Sequence, residues 1–424
     1  MSWDFETDPE FARELEWIDH FERDEVEPLD YVLDNPFDVK NPRNRELVLP
    51  LQRRVKERGL WACHLGPELG GQGFGQVKLA LMNEIIGVGR FAPLVFGSQA
   101  PDSGNAEILA RFGTAAQKER YLEPLLENEI VSCFSMTEPQ GGADPLQIET
   151  TAVRDGDSWI INGEKWFSTN AKTAEFFIVL VKSEPDAPPH RSISTIIVPA
   201  GTPGLEIVRS VGYGSLPATH GYVRYQNVRV PLDHMLGESG QGFIVAQTRL
   251  GGGRIHHAMR CIAKARRALD YMQRRAVSRA TKGSLLSQKQ MVQEKIAESW
   301  IQLEQFRLFV LRTAWLIDKH QDYRKVRKDI AAVKAAMPRV LHDIASRALH
   351  VHGSIGVSHE MPFAQWILES YGLALADGPT EVHHVTLAKE LTRGIDPDPV
   401  FPDYHLPRAA EAAHKKYAVA EHGA

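Results

Sequence analysis

The spacing of apolar residues changes twice along the chain and divides its 424 residues into three stretches. From about residue 8 to 128 apolar residues recur at helical spacing, as in Val48, Leu51 and Val55. From about 129 to 240 short runs rich in β-branched and aromatic residues alternate with Gly and Pro. From about 241 to 394 helical spacing returns. A chain of this length exceeds a single hydrophobic core. The pattern therefore predicts a mainly α protein with a central β domain.

We expect an N-terminal helical domain over 1–128, a middle β domain over 129–240 and a C-terminal helical domain over 241–394. Strands that follow one another without helices predict an antiparallel barrel or sandwich. Within it, Asn162-Gly163 has the composition of a two-residue hairpin turn. The last stretch predicts helices at about 241–280, 287–318, 324–352, 361–376 and 379–393, which suits a four-helix bundle. Four prolines in the tail, 395–424, favour an extended or partner-wrapping segment.

Charge and composition indicate which kinds of partner and compartment to expect. A net charge of −5 with 24% charged residues offers no basis for binding nucleic acid or an acidic membrane. No apolar run is long enough to span a bilayer, and the first 30 residues lack a signal or transit pattern, so we expect a cytoplasmic protein. Three scattered cysteines predict neither disulfides nor a thiolate metal site.

One acidic residue stands at the junction of two predicted helices, in Ala376-Asp377-Gly378-Pro379-Thr380-Glu381-Val382-His383. Asp-Gly-Pro is a helix-start signal, so Asp377 is a candidate helix cap. A carboxylate held in a dry site can also act as a general base. The local sequence leaves both interpretations open.

Four other segments carry polar or glycine-rich patterns. They are Phe134-Ser135-Met136-Thr137-Glu138-Pro139-Gln140-Gly141-Gly142-Ala143-Asp144, Lys165-Trp166-Phe167-Ser168-Thr169-Asn170, Leu250-Gly251-Gly252-Gly253-Arg254 with Arg279-Ala280-Thr281-Lys282-Gly283, and His350-Val351-His352-Gly353-Ser354-Ile355-Gly356-Val357. Each alone fits an ordinary loop, strand or helix face. In this order and spacing, together with the Asp377 segment, they resemble the acyl-CoA dehydrogenase family over about residues 10–394.

The resemblance implies a reaction and a base. The family converts an acyl-CoA thioester to the trans-2-enoyl-CoA: a base removes a Cα proton while hydride passes from Cβ to N5 of FAD. Asp377 stands where the family keeps its catalytic glutamate, and Ala-Asp-Gly-Pro is similar to one subgroup that has an aspartate there. Gln99–Asn105 and Gly253–His257 are associated with the same subgroup. Because aspartate is shorter by about 1.5 Å, its backbone or the substrate must lie closer.

The resemblance also assigns binding residues, with no metal site. The expected FAD contacts are Phe134, Ser135, Met136, Thr137, Gly142, Ala143, Phe167, Ser168, Thr169, Arg279, Thr281, Gln290, His350, Val351, Gly353, Ser354, Thr380 and Glu381. The expected substrate contacts are Ala143, Arg254 and Gly378. Spacing gives Phe167 the role of stacking on the flavin, and a register slip of the strand would give it to Trp166. We expect an acyl pocket lined by apolar residues of the first helical domain and near Leu373.

Partners and rival functions follow from the same resemblance. It implies a homodimer or homotetramer, because the family's counterparts of Arg279 and of the turn at 350–356 reach the FAD of a neighbouring subunit. It also implies electron-transfer flavoprotein as acceptor and a role in fatty acid metabolism. One alternative is an oxygen-using flavoenzyme on the same fold, such as an acyl-CoA oxidase or a monooxygenase. Another is a non-catalytic protein that binds CoA esters or flavin. Asp377 argues against a monooxygenase and a non-catalytic protein, whereas the sequence does not show oxygen access or the kind of acyl group.

Overall fold

The computed structural model describes residues 6–69, 71–213, 218–397 and 406–418. The first stretch of the chain is helical, with α1 Pro9–Phe21, α2 Leu29–Val32, α3 Pro42–Glu57, α4 Gly75–Ile86, α5 Ala92–Val95, α6 Asp102–Phe112, α7 Ala115–Gln117 and α8 Glu123–Leu126. Sequence explains how α1 begins, since Asp8 caps it by accepting a hydrogen bond of 2.8 Å from Phe11 N and Pro9 occupies its first position. Its apolar face is buried, as the helical period predicts.

The middle stretch forms a sheet, with strands β1 Ser132–Ser135, β2 Thr151–Asp155, β3 Ser158–Thr169, β4 Phe176–Lys182, β5 Ile193–Pro199, β6 Leu205–Val211 and β7 His220–Pro231. The strand order is β1-β4-β2-β3-β7-β6, and β5 pairs with the other edge of β4. The predicted β domain is confirmed. Its sheet is mixed rather than purely antiparallel, because β1 and β2 both run parallel to β4.

The hairpin predicted at Asn162-Gly163 is wrong, since both residues lie inside the continuous strand β3. They form a bulge where the pairing with β7 shifts register. A Cβ on Gly163 would lie 2.4 Å from Thr150 Oγ1, so glycine is required by a close approach between strands. The turn that joins β2 to β3 instead contains Gly156, at φ +60°.

Helices return after the sheet: α9 Gly242–Ser278, α10 Gln290–His320, α11 Arg327–His352, α12 Ser354–Val357, α13 Phe363–Leu375 and α14 Thr380–Thr392, with a two-stranded ribbon of β8 Ala280–Thr281 and β9 Ser284–Leu285 between α9 and α10. The predicted helix ends agree with these to within three residues. The long helices pack as the predicted bundle, and buried alanines such as Ala258 and Ala265 let α11 approach α9.

The tail differs from its prediction where the structure describes it. Residues 406–418 form the exposed helix α15, Leu406–Ala418, so the extended form predicted for the tail is wrong over this part; residues 398–405 and 419–424 lie outside the described ranges. Pro407 lies in the first turn of α15, where proline is tolerated. Across the described ranges, no helix combines the length and the hydropathy needed to cross a bilayer.

Helix α9 connects the parts of the molecule. Its first turns contribute Val245 and Ala246 to an apolar cluster with α6 and the sheet. Its later turns contribute Ile255, Met259 and Ile262 to a larger cluster with the N-terminal helices and the bundle. Between the residues that join these two clusters, α9 contains Gly251-Gly252-Gly253, which have no side chains. A cavity lies beside the helix at this point.

Candidate active site

A single cavity of about 3000 Å³ brings together residues from all three stretches of the chain. The members predicted from the sequence are Phe134, Met136, Thr137, Gly142, Ala143, Phe167, Thr169, Arg254, Asp377 and Gly378. They come from the turn after β1, the end of β3, the middle of α9 and the connection between α13 and α14. The fold therefore gathers side chains separated by more than 200 residues around one space.

The connection that carries Asp377 is held by buried cations. Asp377 has φ +56° and Gly378 has φ +103°, so two successive residues adopt backbone conformations that are uncommon for L side chains. Lys334 Nζ donates to the carbonyls of Leu373 (2.6 Å) and Gly378 (3.4 Å), and Arg254 Nε donates to the carbonyl of Asp377 at 2.9 Å. Holding a non-glycine residue in this region costs about 1–2 kcal/mol, which these charge-assisted hydrogen bonds offset.

Asp377 does not act as the cap of the next helix. Helix α14 begins at Thr380 with Pro379 at its N-cap, and no capping hydrogen bond from a side chain is present there. The local interpretation of Asp377 as a helix cap is therefore wrong.

The carboxylate of Asp377 lies against α9. Its Oδ2 is 3.5 Å from Nε2 of His257, and the side chain is 16% exposed. A Cβ on Gly253 would lie 2.9 Å from the same oxygen, closer than real Cβ contacts come. Glycine at 253 is therefore what allows the short aspartate side chain to lie next to the helix.

The charges around Asp377 keep its carboxyl group ionised at neutral pH. Burial raises the pKa of Asp377, but the opposing effect of His257, Arg249, Arg254 and Lys334 is larger, so the pKa lies below its ordinary value. Burial lowers the pKa of His257 to about 4 and that of Lys334 to about 8. At pH 7 the imidazole is neutral, so the two arginines and the lysine provide the stabilising charge.

The segment after β1 is fixed to β3 by a buried ion pair. Lys165 Nζ lies 2.8 Å from Glu138 Oε1, with side-chain exposures of 0% and 2%. The same ammonium donates to the carbonyl of Met136 at 2.9 Å, and Trp166 N donates to the carbonyl of Thr137 at 2.7 Å. Because these contacts hold three successive residues, 136–138, against β3, this segment is a rigid wall of the cavity.

Phe167 faces the cavity because of a second bulge in β3. The pairing with β7 shifts between Lys165 and Ser168, and Phe167 has φ +50°. Its ring lines the cavity and is 41% exposed. Trp166 packs outside, with Arg209 4.6 Å from its ring centroid. The structure thus favours Phe167 over Trp166 as the aromatic wall of the cavity.

Some predicted contacts lie elsewhere in the single chain. The side chains of Ser135 and Ser168 are buried in the sheet and joined by a hydrogen bond of 2.9 Å. Thr380 Oγ1 donates to the carbonyl of Ala374 at 3.3 Å, and Glu381 lines a separate surface groove. A further group lies away from the cavity, at the ends of α9 to α12 and in the ribbon: Arg279, Thr281, Gln290, His350, Val351, Gly353 and Ser354.

Sequence reasoning missed the cavity residue Arg249, and it noted His257 only as part of the segment Gly253–His257, without a role in the site. Arg249 lies 4.2 Å from the ring centroid of Phe134, and its Nε donates to Asn105 Oδ1 at 2.8 Å. Arg249, Gly253 and His257 recur every fourth residue, so they share one side of α9. That spacing was the signal that could have found them.

The segment 99–105 supports Arg249 through a buried polar network. Asn105 Nδ2 donates to Ser132 Oγ at 2.8 Å, and Ser132 Oγ donates to Asp102 Oδ1 at 2.6 Å. Burial raises the pKa of Asp102 to about 6. The network ties the start of α6 to β1 directly beneath the cavity.

The apolar acyl pocket stays a prediction, and the cavity wall built by the first helical domain contains apolar residues such as Leu65 and Phe112 together with polar ones. His64, Gln76 and Glu107 line the cavity there. Burial lowers the pKa of His64 to about 4 and raises that of Glu107. This wall therefore holds polar groups among the apolar ones, and the imidazole of His64 is neutral at pH 7.

Comparison with known protein families gives matches over most of the chain, from residue 18 to residue 392. Three family models match in order: "Acyl-CoA dehydrogenase, N-terminal domain" at residues 18–129, "Acyl-CoA dehydrogenase, middle domain" at 133–228, and "Acyl-CoA dehydrogenase, C-terminal domain" at 240–392.

Among similar proteins is Probable acyl-CoA dehydrogenase FadE2 of Mycobacterium tuberculosis, 41% identical over 354 residues that cover 82% of this chain and 86% of that protein. Acyl-CoA dehydrogenase family member 11 of Mus musculus is 42% identical over 351 residues, which cover 81% of this chain and 44% of that protein. The chain thus spans less than half of this animal relative.

A solved structure from Mycobacterium abscessus, assigned as an acyl-CoA dehydrogenase, superposes with a TM-score of 0.85 at 36% identity, covering 92% of this chain and all of that one.

Proposed function

The chain belongs to the acyl-CoA dehydrogenase family, and on this premise we propose that it oxidises the Cα–Cβ bond of an acyl-CoA thioester to the trans-2-enoyl-CoA, with FAD as cofactor and Asp377 as the base. One observation carries the proposal. An ionised carboxylate, held at φ +56° by buried cations, borders the same cavity as the segment after β1 and the exposed face of Phe167.

The cavity suits a flavin by the chemistry of its lining. A flat aromatic system with polar edges needs an aromatic face and hydroxyl groups, which Phe167, Thr137 and Thr169 provide. The ring of Phe167 is 41% exposed and lines the cavity, so its face is available for stacking. Phe134, Met136, Gly142 and Ala143 would complete the site. When bound, FAD supplies the acceptor for the hydride that leaves Cβ.

Asp377 removes the proton from Cα of the substrate. A carboxylate with a low pKa is a weak base, so the reaction depends on an acidic Cα–H next to a polarised thioester carbonyl. An acyl chain that fills the cavity displaces water, and this desolvation raises the basicity of Asp377. Gly378 and Ala143 border the cavity and are proposed to contact the substrate, while Arg254 positions the connection through the Asp377 carbonyl.

Aspartate in place of glutamate is proposed to define the subgroup of this chain. The glycine at 253 leaves room for the carboxylate beside α9, and Asp377 has a left-handed backbone. Since the side chain is shorter than glutamate by about 1.5 Å, we propose that this connection or the substrate lies closer to the carboxylate than in members with glutamate.

A complete site is proposed to need a second copy of the chain, in a homodimer or homotetramer. Seven residues assigned to the cofactor by the resemblance do not line the cavity of their own chain: Arg279, Thr281, Gln290, His350, Val351, Gly353 and Ser354. Arg279 carries a planar donor that suits paired phosphates. The proposed domains are 1–128, 129–240 and 241–394. The proposed electron acceptor is electron-transfer flavoprotein.

The proposal is tested with the purified protein, FAD and a panel of acyl-CoA thioesters under anaerobic conditions with a dye acceptor. We expect FAD at about one per chain and dye reduction with at least one thioester. Release of FMN on denaturation, or no dye reduction with any thioester by flavin-loaded protein, would refute the proposal. Faster turnover with oxygen than with dye would favour an acyl-CoA oxidase instead.

A further inference from the structure

We propose that His257 is a positioning residue for Asp377: its imidazole holds Oδ2 of the carboxylate, so that Oδ1 faces the Cα of the substrate. The inference rests on the proposed function, because it assigns a partner to the proposed base. It concerns a residue whose role neither the resemblance nor the local sequence indicates.

Gly253 and His257 form a niche on α9 in which Oδ2 of Asp377 lies. Gly253 and His257 are separated by four residues, about one helical turn, and therefore lie one above the other on the same side of the helix. A Cβ on Gly253 would lie 2.9 Å from Oδ2, and His257 Nε2 lies 3.5 Å from the same atom. Oδ2 is thus seated against the helix. The carboxylate is planar, so seating Oδ2 directs the other oxygen away from α9.

The protonation state of His257 suits a donor. Its pKa is lowered to about 4, chiefly by burial; Arg260 and Lys334 act in the same direction, and Asp377 and Glu369 act against them. The imidazole is neutral at pH 7, and one of its two nitrogens carries a proton. A carboxylate selects the tautomer protonated at Nε2. A separation of 3.5 Å is long for a hydrogen bond. Catalytic hydrogen bonds are often long in the free enzyme and shorten in the substrate complex, and the proposed role of His257 requires that this one does.

Asp377 needs this contact because, among the described residues, only His257 lies within ion-pair distance of its carboxylate, while Arg249 acts on the carboxylate through its charge alone. Arg254 and Lys334 donate to carbonyl oxygens of the connection, so neither orients the carboxylate plane. The last torsion of aspartate is broad, and a rotated carboxylate places its oxygen off the line of attack. His257 supplies the missing constraint.

The test separates a donor from a space-filling group. His257→Met removes the donor, whereas His257→Gln places an amide N–H near the position of Nε2. His256→Gln is the matched control, because His256 lies on the same helix but contacts Gln76 Oε1 at 3.2 Å. If His257→Met does not fold, His257→Asn replaces it, since the shorter amide does not reach Oδ2.

Two measurements are made on protein loaded with FAD. One is exchange of the Cα protons of a saturated acyl-CoA with deuterated solvent while the cofactor is kept reduced, so that only proton removal is observed. The other is the pH profile of flavin reduction.

For His257→Met we expect exchange to be slower by about 10- to 100-fold, the effect of losing a hydrogen bond to a charged group. KM should stay within about threefold. The midpoint of the acid limb of the pH profile should move to higher pH, because the ionised form of Asp377 loses a donor. His257→Gln should recover most of the exchange rate, and His256→Gln should match the parent protein.

Exchange by His257→Met at the parent rate, or no recovery in His257→Gln, would overturn the inference. If the parent protein shows neither exchange nor flavin reduction with any thioester, the proposed function fails first, so the two failures are distinguishable.

Discussion

Replacing Gly253 by alanine is expected to stabilise the fold and impair the reaction. A Cβ at this position would lie 2.9 Å from Asp377 Oδ2, whereas ordinary contacts of this kind begin near 3.4 Å. Because the neighbour is the end of a side chain, the carboxylate can yield without unfolding the helix. We therefore expect Gly253→Ala to displace Oδ2 by about 0.5 Å, away from α9.

The two consequences have opposite signs. Alanine inside a helix is more favourable than glycine by about 0.5–1 kcal/mol, and this gain remains if only the carboxylate moves. The reaction loses the position of its base, and a misplacement near 1 Å can slow an enzyme by about 100-fold. For half that displacement we expect flavin reduction to slow by about 10-fold.

The assay pairs urea unfolding with the rate of flavin reduction by an acyl-CoA in a stopped-flow instrument. Gly252→Ala is the matched control, because a Cβ there meets Glu107 Oε2 at 3.3 Å and Tyr323 Oη at 3.4 Å and does not meet Asp377. The control should react within about threefold of the parent. Parent-like flavin reduction by Gly253→Ala would show that the niche does not position the base, and the reasoning would fail.

Three further predictions concern the buried ion pair of Lys165, the buried Glu22 near the N-terminus, and Arg279, which is proposed to contact FAD in a second copy of the chain. Lys165→Met should lower the unfolding free energy by about 3–5 kcal/mol in urea at pH 7, because Glu138 stays buried without its cation; a loss below 1 kcal/mol would contradict this. Burial raises the pKa of Glu22 from 4.5 to about 7. The parent protein is therefore destabilised as pH rises from 4.5 towards 7, because the buried Glu22 side chain must stay protonated or ionise at a cost. Glu22→Gln does not titrate, so its unfolding free energy should rise relative to that of the parent by up to about 3 kcal/mol between pH 4.5 and 7. A difference that does not depend on pH would refute this. Arg279→Ala should speed FAD loss on dilution by about 10- to 100-fold with unchanged thermal stability, and unchanged FAD retention would remove Arg279 from the cofactor site.

Sequence predicted the helices well because their apolar faces decide their positions. The ends of α9, α10, α11, α13 and α14 agree with prediction to within three residues, whereas the short helix α12 was not predicted. The hairpin at Asn162-Gly163 failed because a local turn signal was overridden by pairing of β3 with β7 along its length and by contact with Thr150. The periodicity of apolar residues therefore predicts the helices of this fold, whereas a single turn dipeptide does not predict a hairpin reliably.

The site was predictable where motifs lie in one segment and not where it depends on packing between segments. Asp377 and the segment from Phe134 to Ala143 were found from their motifs, and the structure places both at the cavity. His257 is 120 residues from Asp377, and only the packing of α9 against the connection after α13 joins them. Spacing selected Phe167 over Trp166, but the bulge that turns the Phe167 ring to the cavity was not visible in the sequence.

The central claim is that Asp377 is the base, and Asp377→Asn tests it most directly. Asparagine keeps the shape of the side chain and removes the charged oxygen. The variant should bind FAD and acyl-CoA like the parent protein. Flavin bleaching on anaerobic mixing should slow by at least about 100-fold, the lower end of the effect of one positioned base. Bleaching by Asp377→Asn at a rate near that of the parent would show that another group removes the Cα proton.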